Sequence, residues 1–183
     1  LMRQFFIDKY AHADPHPANL FIFPESKIGY IDFGIIGKSI YDNYGLLRFI
    51  KGAIDLDFSL AGEGVVEFAD TRFSKEFGSV LAEDLKTRNI YEKTLAFISQ
   101  RLSQDMTPIV KDWHFFTGNK TLTLSKRSSA AAFFKIVKAA EKYKIKFPPD
   151  VIAFIRSLVI IDMVCLKLTP DFDMVRAVKT FFD

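Results

Sequence analysis

Three polar side chains near the start of the chain have the types and spacing needed to hold a metal ion and a phosphate group. Asn19 follows Asp14 by five residues, and Asp32 follows two short apolar runs. Magnesium takes oxygen ligands and shares the rest of its shell with phosphates and water. The spacing therefore predicts phosphoryl transfer, in which Asp14 orients or accepts the proton of an attacking hydroxyl while Asn19 and Asp32 bind the metal ions.

A β-hairpin is needed to bring these residues together. Leu20–Phe23 and residues 28–31 are apolar runs on either side of Pro-Glu-Ser-Lys, a turn-forming sequence. A turn of four residues would place Asn19 directly opposite Asp32. Opposed residues in an antiparallel pair lie about 4.5–5.5 Å apart at Cα, so the sequence predicts that the amide oxygen and the carboxylate converge at the open end of the hairpin.

Two histidines, His12 and His16, flank Asp14 and allow two interpretations. They either organise the loop through hydrogen bonds to the backbone and to Asp14, or they ligate a transition metal as in some hydrolases. The first is favoured, because the third histidine, His114, lies far along the chain. The single cysteine excludes an internal disulfide framework and a zinc site built on cysteines.

The rest of the chain has helical periodicity. Apolar residues follow helical spacing from Leu46 to Leu56, and Gly62 and Gly64 then interrupt the pattern. Further helices are predicted near residues 75–88, 91–103, 128–145, 149–168 and 171–182. The predicted fold is α+β and mostly α, with a small catalytic β-hairpin in residues 1–40 mounted on a helical body in residues 41–183.

Composition excludes several classes of protein. The 183 residues carry 25 Lys and Arg against 22 Asp and Glu, a net charge of +3 that is too small for a dedicated nucleic-acid binder. The longest apolar stretch, residues 151–168, contains Arg156, Asp162 and Lys167. Inserting those three charges into a membrane would cost about 9 kcal/mol, whereas inserting the apolar residues of the stretch would be favourable by roughly 5–6 kcal/mol. The stretch is therefore predicted to be a core helix and not a transmembrane helix.

A basic stretch, residues 120–146, carries a charge of +7 and allows two interpretations. It is either an amphipathic surface for anionic headgroups or a solvated helix face, and the second is favoured because charge runs are usually solvated.

Two motif blocks resemble a known family. His-Ala-Asp-Pro-His-Pro-Ala-Asn at residues 12–19 and Ile-Asp-Phe-Gly-Ile-Ile-Gly at residues 31–37 resemble the UbiB family of atypical kinases, also called the AarF-domain or ADCK family. Leu-Thr-Pro-Asp-Phe-Asp at residues 168–173 is similar to the segment that follows a helix in that family. The resemblance therefore extends over nearly the whole chain.

This resemblance implies a fold, an activity and a cellular setting. The fold would be the C-terminal lobe of a kinase-like domain, with Asp14 as the catalytic residue and Asn19 and Asp32 as ligands of Mg²⁺ and ATP. The activity would be phosphoryl transfer or ATP hydrolysis that supports ubiquinone or other isoprenoid-lipid metabolism. Implied partners are a nucleotide and an isoprenoid lipid or anionic membrane surface. The implied location is peripheral to a membrane, on its cytoplasmic or organellar-matrix side. The alternative is a kinase-shaped scaffold that binds a lipid or a protein without catalysis.

The chain departs from the family pattern in two respects. The N-terminal lobe of the family, with its phosphate-binding Lys and Lys-x-Gly-Gln segment, does not precede Leu1. We therefore expect residues 1–183 to be the C-terminal lobe of a longer chain and to bind ATP weakly, without turnover, when separated from the missing lobe. The family usually has Gly where this chain has Ala18, which is tolerated if that position has ordinary negative φ.

Overall fold

Helices make up most of the molecule. The computed structural model of the chain describes residues 1–38, 43–68 and 85–183. Its helices are α1 (Met2–Phe6), α2 (Tyr44–Asp55), α3 (residues 58–68), α4 (Leu85–Gly118), α5 (Leu124–Arg127), α6 (Ser129–Glu141), α7 (Pro149–Leu168) and α8 (Met174–Lys179). The strands are β1 (Tyr10–His12), β2 (Leu20–Phe23), β3 (Lys27–Tyr30) and β4 (Ile36–Lys38). The predicted α+β, mostly helical fold is confirmed.

Most predicted helices are present, with changed ends. The helix predicted over residues 149–168 has the bounds of α7, whereas the one predicted near 91–103 is part of the longer α4, which continues through Pro108. Most of the helix predicted near 75–88 lies outside the described residues. The last helix begins at Met174, because the Asp173 side chain accepts a hydrogen bond from the backbone N–H of Arg176 and caps it.

Gly62 and Gly64 do not interrupt the helical pattern, contrary to the prediction. Both lie inside α3. A Cβ atom at Gly64 would overlap the backbone nitrogen of Phe49, and one at Gly62 would overlap Oγ of Ser103 and lie 2.8 Å from the backbone carbonyl oxygen of Ser99. The glycines are therefore needed for the close approach of α3 to its neighbours, which outweighs their low helix propensity of about 1 kcal/mol relative to Ala.

Two compact units are formed by segments that alternate along the chain. In the described residues, the first unit consists of residues 1–38, 113–133 and 149–183, and the second of residues 43–68, 85–112 and 134–148. The first unit thus combines the predicted catalytic segment with α5, α7 and α8. Its core is aromatic: Phe5 is fully buried, and its ring centroid lies 4.5 Å from that of Phe154 on α7.

A buried polar centre also stabilises the first unit, and we call it the Arg127–Asp162 centre. Asp162 accepts hydrogen bonds from the backbone N–H of Ser129 at 2.7 Å and from its hydroxyl at 2.9 Å. Arg127 donates to the carbonyl oxygens of Thr117, Pro170 and Phe172. Burial raises the pKa of Asp162, and the hydrogen bonds from Ser129 offset part of that increase.

The β2–β3 hairpin is present, but its register differs from the prediction by one residue. Phe23 pairs with Lys27, so the turn contains three residues instead of four. The middle one, Glu25, has left-handed dihedral angles of φ 62° and ψ 29°. As a result, Asn19 lies opposite Ile31, whose N–H donates to the Asn19 carbonyl at 3.0 Å, and the prediction that Asn19 is directly opposite Asp32 is wrong.

Candidate active site around Asp14

His12 connects the loop that carries Asp14 to the segment that carries Asp32. We call residues 10–19 the Asp14 loop. The imidazole Nδ1 of His12 accepts a hydrogen bond from the backbone N–H of Asp14 at 3.2 Å. Its Nε2 lies 2.9 Å from the carbonyl oxygen of Ile31 and 3.0 Å from that of Asp32. This pattern requires the proton on Nε2, because both partners of that nitrogen are acceptors.

Packing holds the His12 ring in this position. The side chain is only 3% exposed, and Tyr30 stacks on it with 5.5 Å between ring centroids. The phenol of Tyr30 is itself partly buried, which raises its pKa. From α7, the hydroxyl of Ser157 lies 3.2 Å from the His12 carbonyl oxygen and shares its proton between that oxygen and the carbonyl of Ala153. The connection between the two segments is therefore buried and bonded on several sides.

Asn19 contacts the Asp14 loop directly. A short 3₁₀ helix, Pro17–Asn19, ends the loop, and Nδ1 of His16 accepts from the N–H of Ala18 at its start. The Asn19 side-chain nitrogen donates to the Asp14 carbonyl at 3.1 Å. Because the NH₂ group makes this bond, Oδ1 of Asn19 is left as an acceptor for a cation. Ala18 is not among the residues with positive φ, so Ala is accommodated without backbone strain.

Asp32 lies just beyond the paired residues of the hairpin. It has a φ of 58°, in the left-handed region, while none of the described glycines has a positive φ. The left-handed position in this segment is therefore occupied by Asp32 and not by a glycine. Its Oδ1 accepts from the N–H of Gly34 at 3.2 Å, and strained backbone of this kind is concentrated at functional sites.

An arginine that the sequence analysis assigned only to the helical body contacts the carboxylate of Asp14. Nη2 of Arg156, on α7, lies 3.2 Å from Oδ1 of Asp14. Sequence reasoning missed Arg156 and Ser157 as part of the site. The available signal was an arginine next to a serine in a mostly apolar helix, because a charged side chain in such a helix requires a partner if it is buried.

The donor set fits magnesium. Asn19 Oδ1 and Asp32 Oδ2 are hard oxygen donors that the hydrogen bonds described above leave available, and Mg²⁺ binds through a few such oxygens together with phosphates. Both nitrogens of His12 are engaged with the backbone, as the loop-organising interpretation requires. Among residues 1–38, 43–68 and 85–183, no three His, Cys, Asp or Glu side chains are grouped to hold a metal ion. The roles of Asp14, Asn19 and Asp32 remain predictions.

Comparison with known proteins shows a family to which the start of the chain is similar. Residues 1–63 match the model of the ABC1 atypical kinase-like domain. The match covers about a third of the chain and shows that its first 63 residues are similar to this domain. The matched region contains Asp14, Asn19 and Asp32, and the resemblance to UbiB and AarF-domain proteins is confirmed. The chain is thus similar to atypical kinase-like proteins.

Curated ABC1 relatives match along most of this chain. An uncharacterized aarF domain-containing protein kinase from chloroplasts of Arabidopsis thaliana is 20% identical over 171 residues, which are 90% of this chain and 30% of that protein. The chloroplastic protein Activity of BC1 Complex Kinase 3 from the same plant is 22% identical over 183 residues, which are 99% of this chain and 22% of that protein. The chain therefore spans less than a third of these relatives.

A cyanobacterial relative matches only part of the chain. An uncharacterized protein of Synechocystis is 36% identical over 66 residues, or 35% of this chain and 10% of that protein. No solved structure matches the chain. In the part of the chain that the structure describes, no helix has the length and apolar character needed to cross a membrane.

Proposed function

We propose that this chain forms the catalytic-loop and metal-binding part of a Mg²⁺- and ATP-dependent phosphotransferase or ATPase. The observation that carries the proposal is the set of hydrogen bonds that joins the three predicted site residues. Asn19 donates to the Asp14 carbonyl, and His12 bonds both the Asp14 N–H and the Asp32 carbonyl. The three residues predicted from the sequence are thus joined by one network of hydrogen bonds.

The role proposed for each residue follows from the side-chain oxygens that its described hydrogen bonds do not use. Asp14 has one carboxylate oxygen beside Arg156 and a second to accept or orient the proton of an attacking hydroxyl or water. Asn19 and Asp32 would hold Mg²⁺ through Oδ1 and Oδ2, and the ion would neutralise charge on the nucleotide phosphates. Most of the catalysis in such a site would come from positioning and electrostatics.

The cellular role is part of the same proposal. We infer support of ubiquinone or other isoprenoid-lipid metabolism at the cytoplasmic or organellar-matrix face of a membrane, with an isoprenoid lipid or an anionic membrane surface as partner. The names of the Arabidopsis relatives place those proteins in chloroplasts, which favours an organelle. The basic stretch gives limited support to membrane contact, because Arg127 is buried and Lys120 and Lys142 form ion pairs with Asp171 and Asp105.

The second candidate is a kinase-shaped scaffold without catalysis. Two contacts favour it: the Asp14 carboxylate is paired with Arg156, and Oδ1 of Asp32 accepts from Gly34. Both carboxylates therefore have one oxygen engaged within the protein. A scaffold could use these contacts only to stabilise the loop.

The two candidates are separated by nucleotide turnover of the full-length protein with Mg²⁺. Asp14→Asn should lower kcat by about 10²- to 10⁴-fold, the usual contribution of a group that handles a proton, and leave the affinity for Mg²⁺-ATP nearly unchanged. Asp8→Asn, at an exposed aspartate in the same unit, is the matched control and should behave like the wild type. Absence of turnover in the wild type, with unchanged cellular output from Asp14→Asn, would favour the scaffold.

A further inference from the structure

Helix α7 contacts the Asp14 loop at two adjacent positions. Ser157 is fully buried, and its hydroxyl lies 3.2 Å from the carbonyl oxygen of His12 and 2.9 Å from that of Ala153, so the two carbonyls share its proton. Arg156, the preceding residue, reaches the carboxylate of Asp14. Because the buried contact fixes the helix against the loop, the position of Arg156 relative to Asp14 is set by the fold over a separation of 142 residues.

The backbone of Asp14 is held, whereas its carboxylate depends on a single described contact. The N–H of Asp14 donates to His12, and its carbonyl accepts from Asn19. These bonds fix the main chain but leave the side-chain torsions free. Among the described residues, the ion pair with Arg156 is the side-chain contact that the structure gives to the carboxylate.

This ion pair contributes little to folding stability. The side chain of Arg156 is 57% exposed and that of Asp14 is 30% exposed. Ion pairs between exposed groups typically contribute little, because solvent screens them and ordering the side chains costs entropy. Its effect is therefore on the orientation of the carboxylate.

We propose that Arg156 is a positioning residue, which holds Oδ1 of Asp14 so that Oδ2 is presented to the attacking group. This inference rests on the proposed function, since it gives the carboxylate a reacting partner. Positioning of this kind reduces the number of orientations that the carboxylate samples before reaction. Arg156 itself does not contact the reacting atoms in this account.

The test compares wild type, Arg156→Gln and Arg156→Lys in the full-length protein, with steady-state turnover of ATP and Mg²⁺. Arg156→Gln should lower kcat by about tenfold or more, with KM for ATP changed by less than about threefold, because only positioning is lost. Arg156→Lys keeps a cation and should recover most of the loss. Arg176→Gln, at an exposed arginine on α8, is the matched control and should match the wild type.

The Asp14→Asn background makes the test specific. If Arg156 acts through Asp14, then adding Arg156→Gln to Asp14→Asn should lower kcat no further, because the two changes remove the same interaction. An equal loss in both backgrounds, unchanged kcat in the single variant, or an increase in kcat would each overturn the proposal.

Crystal structures of the full-length wild type and Arg156→Gln distinguish failure of this inference from failure of the proposed function. The wild type should show a single Asp14 rotamer, and the variant should show a different rotamer or several. An identical single rotamer in both proteins would overturn the inference even if ATP is turned over. A wild type without turnover would contradict the proposed function, and with it the catalytic purpose of Arg156, whatever the rotamers show.

Discussion

The Asp14 loop and the Arg127–Asp162 centre lie in the same unit but use their charged residues differently. In the centre, Arg127 is 3% exposed and Asp162 is 1% exposed, and each makes two or more hydrogen bonds. In the loop, His12 is buried and Asp14 is partly exposed, and Asp32, on the segment bonded to the loop through His12, is exposed.

The charges of Arg127 and Asp162 stabilise the fold, whereas those of Asp14 and Asp32 remain available to bind a ligand. A buried charge is tolerated only when its hydrogen bonds are satisfied, and the Arg127–Asp162 centre meets that requirement within the protein. Asp14 and Asp32 each retain an oxygen that the bonds described here do not use. The loop therefore keeps its capacity for an external ligand, and its structure is maintained by backbone contacts to His12.

The largest effect on stability is expected from Arg127→Met. The change leaves the carbonyls of Thr117, Pro170 and Phe172 without their donor, and it leaves the buried Asp162 without its neighbouring cation. Removing one member of such a buried group costs about 3–5 kcal/mol. Urea unfolding measures the loss, with Arg176→Met as the control. A change of under about 1 kcal/mol would show that the centre does not stabilise the unit.

The next largest effect is expected from His12→Phe, which keeps a ring against Tyr30 but removes the hydrogen bonds to Asp14, Ile31 and Asp32. We expect a stability loss of about 1–3 kcal/mol and a decrease in kcat of about tenfold or more, because the loop and the Asp32 segment are no longer joined. His16→Phe removes one bond at an exposed position and should change kcat by less than about twofold. Equal effects of the two substitutions would contradict the role given to His12.

Sequence reasoning provided a basis for proposing residues of a site, but not for predicting their arrangement. The Asp-x4-Asn step and the later Asp-Phe-Gly selected Asp14, Asn19 and Asp32, because these side chains are close in sequence to the elements that position them. The register was missed because it depends on Glu25 adopting a left-handed conformation, for which Pro-Glu-Ser-Lys gives no clear signal. Arg156 was missed because a contact over 142 residues has no local pattern.

The prediction of the fold was also limited to features that depend on local sequence. Local periodicity predicted α7, and pattern alone could not show that Gly62 and Gly64 are accommodated within α3. Their helical conformation follows from close packing against Phe49 and Ser103, a tertiary effect that overrides propensity.

A pH-dependent effect is expected at Asp162. Its ordinary pKa is 3.8, and burial raises the pKa in the folded state. The folded protein thus binds this proton more tightly than the unfolded chain, so the associated stability is present below the ordinary pKa and is lost as pH rises through the raised value. Asp162→Asn removes this titration. The free energy of unfolding of the wild type should therefore fall relative to that of the variant as the pH rises above the ordinary pKa of 3.8, as measured by urea unfolding. Parallel pH profiles would contradict the assignment.

The smallest effect is expected from Ala18→Gly, which restores the residue usual in the family. Ala18 has no positive φ to relieve, so glycine only adds flexibility to the unfolded chain and should cost about 0.5–1 kcal/mol. Turnover should be unchanged within about twofold. A clear increase in kcat would show that Ala18 distorts the loop and that the site has a geometry different from the one described.

The most direct test of the central claim is calorimetric titration of Mg²⁺-ATP into the full-length wild type, Asn19→Ala, Asp32→Asn and the double variant. If Asn19 and Asp32 bind the same metal–nucleotide complex, each single change should weaken binding by about tenfold or more, and the double variant should be little weaker than the worse single variant. Losses that multiply fully in the double variant, or single variants that bind like the wild type, would contradict a shared site.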